Sequence, residues 1–201
     1  MSKLYYRYGA MNSGKTTLLL QVAHNYEERG MKVKILKPKL DTKGEDKIVT
    51  RIGLERKVDY LIERDENLTP YLNKLPKSTE CVLVDEAQFL TRDQVDELFM
   101  YTKLKDKPVI CYGLRSDFKT MAFPGSLRLF EIADDMEELY TICRCGQRAK
   151  FNGRIVNGKF TSSGDQVAID GENEITYESL CGKCYLEKVL GIKEENLDEE
   201  K

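Results

Sequence analysis

Apolar and polar positions follow two periods along the first two thirds of the chain. Short apolar runs of strand length alternate with segments whose apolar residues recur every three or four positions. Leu4–Tyr8 predicts a first strand, followed by a Gly-rich turn. Lys15–Arg29 predicts a helix with Leu18, Leu19, Val22, Ala23 and Tyr26 on one face and Gly30 closing it. Val33–Leu36 predicts a strand that Pro38 ends. The polar stretch from Leu40 to Arg51 has no period and predicts a long surface loop, a common carrier of function. Further on, strands are expected at Val58–Ile62, Cys81–Val84, Pro108–Tyr112 and Glu138–Ile142. Helices are expected at Leu68–Leu75, at Gln94–Thr102 with Val95, Leu98 and Phe99 inward, and at Ser126–Ala133. A fully apolar run such as Cys81–Val84 suits a strand buried on both faces of a parallel sheet. The alternation as a whole predicts an α/β fold, a mostly parallel sheet with helices packed on it.

The pattern changes after Ile142. Cysteines cluster, glycines recur at 146, 153, 158, 164 and 171, and Arg154–Val156 and Gln166–Ile169 read as hairpin strands. This divides the chain into an α/β core over 1–142, a small β-rich domain over 143–191 and an acidic tail over 192–201.

Composition narrows the class. The 201 residues are 41% hydrophobic and 33% charged, which excludes a disordered chain. No apolar run nears the roughly 20 residues of a membrane span, so no membrane partner is expected. The start, Met1-Ser2-Lys3-Leu4, lacks a signal-peptide apolar region, and a cytoplasmic location is expected. With 32 Lys+Arg against 34 Asp+Glu, the chain lacks the basic excess of a dedicated nucleic-acid binder. The six cysteines then read as core residues (Cys81 and Cys111) and metal ligands rather than disulfides.

Candidate chemistry begins at the first turn. Gly9-Ala10-Met11-Asn12-Ser13-Gly14-Lys15-Thr16 fits G-x-x-x-x-G-K-[ST], with a strand before it and a helix after. That spacing lets successive backbone N–H groups curl round a phosphate at the helix's positive end. Lys15 reaches the outer phosphates and the Thr16 hydroxyl ligates Mg²⁺. Val82-Leu83-Val84-Asp85-Glu86 supplies the partner element: Asp85, ending a buried strand, is a second Mg²⁺ ligand, and Glu86 can serve as a base. Together they indicate a nucleoside triphosphate with Mg²⁺, and leave open whether the γ-phosphoryl goes to water or to a substrate. Asn73-Lys74-Leu75-Pro76 lacks the Asp with which a GTPase reads guanine. Asp85-Glu86-Ala87-Gln88 echoes a helicase box, which keeps a RecA-like ATPase acting on nucleic acid as the rival reading. A zinc-ribbon interaction module with a regulatory phosphate loop is a third. Cys143-x-Cys145 and Cys181-x-x-Cys184 are two close pairs, suited to one closed, structural Zn²⁺ site of four thiolates.

With these residues in place, the chain resembles the type II thymidine kinases, the cellular, bacterial and phage kind, over roughly residues 3–186. The resemblance rests on the 9–16 loop, Asp85-Glu86-Ala87-Gln88-Phe89, Gly113-Leu114-Arg115-Ser116-Asp117-Phe118 with Phe123, and the two cysteine pairs bracketing a loop that ends near Tyr177. It implies transfer of the γ-phosphoryl of ATP to the 5′-hydroxyl of thymidine, a RecA-like core, a zinc-bearing lasso domain and a homotetramer. It implies Glu86 as the base that takes the 5′-hydroxyl proton, with Lys15, Thr16 and Asp85 serving ATP and Mg²⁺. Met11, Gln88, Phe89, Leu114, Phe118 and Phe123 would line the thymidine pocket, with Tyr177 over the ring and Asp41 on the sugar side. The lasso, Gln166 through Val167, Ala168, Ile169, Asp170 and Gly171, would clamp the base through backbone groups. Apolar and aromatic side chains suit a flat pyrimidine, and backbone amides suit its edge. The chain departs from the family pattern at Lys43, at the one-residue spacer of the first cysteine pair, at Asn152, where members often carry a small or apolar residue, and in a longer stretch before Tyr177.

Overall fold

The computed structural model describes residues 1–39, 46–166 and 174–193. Its elements in chain order are β1 (Leu4–Gly9), α1 (Lys15–Glu27), β2 (Lys32–Pro38), β3 (Lys47–Val49), β4 (Glu55–Lys57), β5 (Tyr60–Ile62), α2 (Thr69–Lys74) and β6 (Thr79–Val84). A 3₁₀ turn (Ala87–Phe89) follows, then α3 (Arg92–Lys105), β7 (Val109–Leu114), α4 (Pro124–Ile132) and β8 (Asp135–Glu138). The cysteine-bearing part contains β9 (Thr141–Ile142), β10 (Arg148–Ala149), β11 (Phe151–Val156), β12 (Lys159–Thr161), β13 (Ile175–Leu180) and α5 (Gly182–Val189).

Six strands form one sheet in the order β5-β2-β6-β7-β1-β8, and every pairing in it is parallel. The period-2 alternation of the strands splits the core into two apolar layers. Leu4, Tyr6, Leu36, Val82, Val84 and Cys111 face α3 and α4, which supply Val95, Leu98 and Leu129. Val33, Ile35, Cys81, Leu83 and Tyr112 face α1, which supplies Leu19 and Ala23. Because the strands are parallel, their C-terminal ends gather on one edge, where ligands of open α/β sheets bind. Gly9, Pro38, Val84 and Leu114 end their strands there. None of the helices among the described residues is long and apolar enough to cross a membrane.

Two expectations need correction. The strand expected at Glu138–Ile142 lies earlier: β8 pairs Asp135–Glu138 with Tyr5–Tyr8 at the sheet edge, and Thr141–Ile142 pairs separately with Arg148–Ala149. Its charged sequence hid it, since edge exposure and ion pairs from Arg7 to Asp135 (2.8 Å) and Glu137 (3.0 Å) are what accommodate those carboxylates. The loop expected over Leu40–Arg51 contains β3, which forms a hairpin with β4. Thr50 and Leu54 close that turn with mutual hydrogen bonds, and Ile48 is buried beneath it. The cysteine-bearing part is β-rich as expected and also carries one helix, α5, where Cys184, Tyr185 and Val189, with the capping Cys181, fall on one side of a 3.6-residue period. The expected strand over Gln166–Ile169 lies outside the described residues from Val167 onward.

Candidate active site

Residues 9–16 carry the chain from the C-terminal end of β1 into α1. A Cβ at Gly9 would sit 2.7 Å from the Leu139 carbonyl oxygen, so a side chain is excluded by packing. Gly14 caps α1 at φ +77°, a left-handed conformation that glycine adopts without strain. Lys15 folds back over its own loop, its Nζ donating to the Ala10 carbonyl (2.7 Å) and to Ser13 Oγ (3.2 Å). Burial pulls the Lys15 ammonium below its usual pKa range, while the carboxylates of Glu86 and Asp85 act in the opposite sense.

Asp85 follows the last residue of β6 and is buried, its N–H donating to the Leu36 carbonyl at 2.9 Å. Thr16 Oγ1 stands 3.4 and 3.5 Å from its two carboxylate oxygens. Burial first, and the charge of Glu86 second, push the Asp85 carboxyl up to about 7. A hydroxyl and a buried carboxylate converging beside a phosphate loop suit a hard divalent cation. Glu86 has φ +50°, rare for a residue with a Cβ, and this breaks the strand's direction. Its carboxylate accepts from Gln88 Nε2 at 2.5 Å, while Gln88 Oε1 accepts from the Leu114 N–H at 3.0 Å. Fully buried, Gln88 therefore fixes Glu86 against β7. The turn sits close to its neighbours: a Cβ at Gly125 would lie 2.4 Å from the Ala87 carbonyl oxygen.

Beyond Glu86 lies a cavity of about 260 Å³, lined by Met11, Lys37, Glu86, Gln88, Phe89, Leu114, Asp117, Phe118, Phe123, Asn152, Gln166 and Tyr177. Phe89 and Phe123 meet edge to face at 5.3 Å. The opposite wall comes from β11 and β13, which pair so that Asn152 faces Ser179 and Arg154 faces Tyr177. Arg154 is buried, with its guanidinium 3.6 Å from the centroid of the Phe118 ring and Nε donating to the Tyr177 hydroxyl at 3.0 Å. A larger hollow of about 530 Å³ elsewhere, beside the start of β2 and β6, has none of these groups.

On the other face of the β11–β13 pair, the sulfurs of Cys143, Cys145, Cys181 and Cys184 lie within 4.8 Å of one another. Cys143 and Cys145 flank a tight turn closed by the Gly146 N–H on the Cys143 carbonyl, with Gly146 at φ +87°. Cys181 caps α5 and its sulfur accepts from the Cys184 N–H. Sulfurs on a tetrahedral zinc with bonds near 2.3 Å stand about 3.8 Å apart; Cys145 and Cys181 are at 3.5 Å. Burial raises the Cys143 thiol, but hydrogen bonds from the N–H groups of Cys145 and Cys181 and from the thiols of Cys145 and Cys184 together outweigh it and bring it down to about 7. Hydrogen bonding to Cys145, Cys143 and Cys181 sends Cys184 up to about 12. Such a closed donor set fits a structural zinc, which would ionise all four thiols.

The sequence model of the family described as Thymidine kinase matches residues 2–185. The chain belongs to the thymidine kinase family. A thymidine kinase of Streptococcus agalactiae is 44% identical over 187 residues, 92% of this chain and 97% of that one. Thymidine kinases of Legionella pneumophila (46% over 186 residues, 90% and 88%) and Chromobacterium violaceum (42% over 187 residues, 92% and 98%) are similar to it as well.

In this member of the thymidine kinase family, the structure gathers Met11, Glu86, Gln88, Phe89, Leu114, Phe118, Phe123 and Tyr177 around one cavity. Residues 9–16 and Asp85 adjoin it. Asp41 and Val167, Ala168, Ile169, Asp170 and Gly171 lie outside the described residues. Sequence reasoning assigned no role to Lys37, Asp117 and Arg154. Lys37 had a signal, a charge between the apolar Leu36 and Pro38 of a buried strand. Asp117 binds its own loop, accepting from the N–H groups of Lys119 and Met121 at 2.8 Å, and no linear pattern announces that. Arg154 was legible only as the start of a hairpin strand, because its contacts join distant segments.

Proposed function

We propose that the chain transfers the γ-phosphoryl of ATP to the 5′-hydroxyl of thymidine, giving thymidine monophosphate and ADP. One observation carries this reading: Asp85 faces the phosphate loop through Thr16, and the next residue, Glu86, lines the aromatic cavity. A triphosphate and an acceptor alcohol would thus meet across a single peptide bond. The family membership supplies thymidine as the acceptor, and Phe89, Leu114 and Phe118 in the cavity lining offer apolar surface that suits a pyrimidine.

The residues divide the work. N–H groups of the 9–16 loop and Lys15 would hold the phosphates in line with the acceptor. Mg²⁺, held through Thr16 and Asp85, would supply charge neutralisation on the β- and γ-phosphate oxygens. Glu86, held by Gln88, would accept the 5′-hydroxyl proton as that oxygen bonds to the γ-phosphorus. The bond from phosphorus to the β,γ-bridging oxygen breaks and ADP departs. Met11, Phe89, Phe118, Phe123 and Tyr177 would orient the base and keep water from the γ-phosphate. Cys143, Cys145, Cys181 and Cys184 would hold one zinc behind the β11–β13 wall.

A panel of nucleosides with γ-labelled ATP and Mg²⁺ tests the reading. Label should pass to thymidine far faster than to deoxycytidine, deoxyadenosine or deoxyguanosine. Label transfer to none of them would overturn it.

A further inference from the structure

Both backbone groups of Met11, in the middle of the phosphate loop, are held by side chains from the cysteine-bearing part of the chain. The Met11 N–H donates to Asn152 Oδ1 at 2.8 Å, and the Met11 carbonyl accepts from Ser179 Oγ. Asn152 and Ser179 are directly opposed across β11 and β13, so their side chains leave the same face of that pair. The same Asn152 amide reaches a third segment, its Nδ2 donating to the Ser116 carbonyl at 3.0 Å. Ser116 begins the loop that carries Phe118 and Phe123. The orientation of this amide is fixed by its partners, because an N–H must face oxygen and a C=O must face nitrogen. Asn152 and Ser179 are 3% and 6% exposed, so water competes little for these bonds.

We propose that Asn152 and Ser179 are positioning residues that fasten the phosphate loop to the nucleoside cavity through Met11. The Met11 N–H is committed to Asn152, so the phosphate cradle is left to the loop's other N–H groups. The Met11 side chain, which lines the cavity, is held in place by the Asn152 bond, while the Ser179 bond fixes the carbonyl on the loop side. Asn152 sets both walls at once, Met11 on one side and the Phe118 loop on the other, because one primary amide offers an acceptor and a donor in opposite directions. The assignment of the two ligands rests on the proposed function, but the clamp itself does not.

Two variants separate the arms. Ser179→Ala removes only the hold on the Met11 carbonyl. It should raise the Kd for a non-hydrolysable Mg-ATP analogue about tenfold, the scale of one buried hydrogen bond, while KM for thymidine stays within about threefold. Asn152→Leu, similar in shape, loses both arms and should raise the analogue's Kd and the thymidine KM together. Zinc content and melting temperature are measured alongside. If Asn152→Leu does not fold, Ser179→Ala decides alone. An analogue Kd within about twofold of wild type in a folded Ser179→Ala protein would overturn the clamp. So would lower specific activity with both constants unchanged, the mark of a merely structural role. A wild-type protein that phosphorylates no thymidine would defeat the functional reading instead, and the analogue's Kd would still test the clamp.

Discussion

Asp85 and Glu86 are chain neighbours, yet with left-handed backbone at Glu86 their carboxylates meet different surroundings, Thr16 for Asp85 and the aromatic cavity for Glu86. Burial lifts Asp85 to about 7 from 3.8, so between those pH values the folded chain holds more protons than the unfolded one. Stability of the ligand-free protein therefore falls as pH rises through that window and is flat above it. Asp85→Asn should raise the melting temperature of ligand-free protein at about pH 8 by several degrees, at about 2–4 °C per kcal/mol, and by much less near pH 5. Scanning fluorimetry at both pH values checks this; an unchanged or lower melting temperature at the higher pH would mean that the charge is not strained there. The same variant should lose turnover. Glu86→Gln should keep analogue binding and lower kcat by roughly 10²–10⁴-fold, the usual worth of a general base. Steady-state rates within about threefold of wild type would remove Glu86 from that role.

Elements differ in how openly the sequence announced them. β6 and α1 were plain, because a Cys-Val-Leu-Val run and a Leu18–Leu19–Val22–Ala23 face each match one period: the run is buried, and on the helix Leu19 and Ala23 are buried with Leu18 and Val22 half-buried beside them. β8 was misplaced because its fit depends on partners: Lys3 and Arg7, far away in sequence, and Arg148 in a later strand pair with Asp135, Glu137 and Glu138 and make acidic residues compatible with a sheet edge. The 3₁₀ turn after Asp85 is another tertiary feature, shaped by the approach of Gly113 and Gly125. A Cβ at Gly125 would press on three carbonyl oxygens, those of Ala87 and Leu90 at 2.4 and 2.8 Å and that of Gln88 at 3.0 Å. Backbone cannot swing aside as a flexible side chain can, so Gly125→Ala should displace the turn that orients Glu86 and Phe89. A loss of about 1–3 kcal/mol is expected by chemical denaturation, with a raised thymidine KM. Wild-type values of both would mean that α4 yields instead.

At the scale of the whole molecule, the phosphate loop and the cysteine pairs were legible because each is a local spacing with its own chemistry. The cavity was legible residue by residue only through the family resemblance, since Phe89, Phe118 and Phe123 read equally well as core until the fold brings them together. The joint between the two parts, Asn152 and Ser179 on Met11, was not legible: the partners are 141 and 168 positions apart. The strands that carry this joint pack on the cysteine cluster through Phe151 and Leu180. Protein purified without added metal should carry one zinc per chain, and Cys181→Ser should lower both the zinc content and thymidine binding. Elemental analysis showing fully active protein with far less zinc would contradict a structural metal. The most direct measurement is ³¹P NMR of the protein mixed with Mg-ATP and thymidine. ADP should appear in equal amount with one new phosphomonoester resonance, that of thymidine 5′-monophosphate. Inorganic phosphate as the main product, or a monoester on the 3′-oxygen, would contradict a site in which Glu86 activates the 5′-hydroxyl.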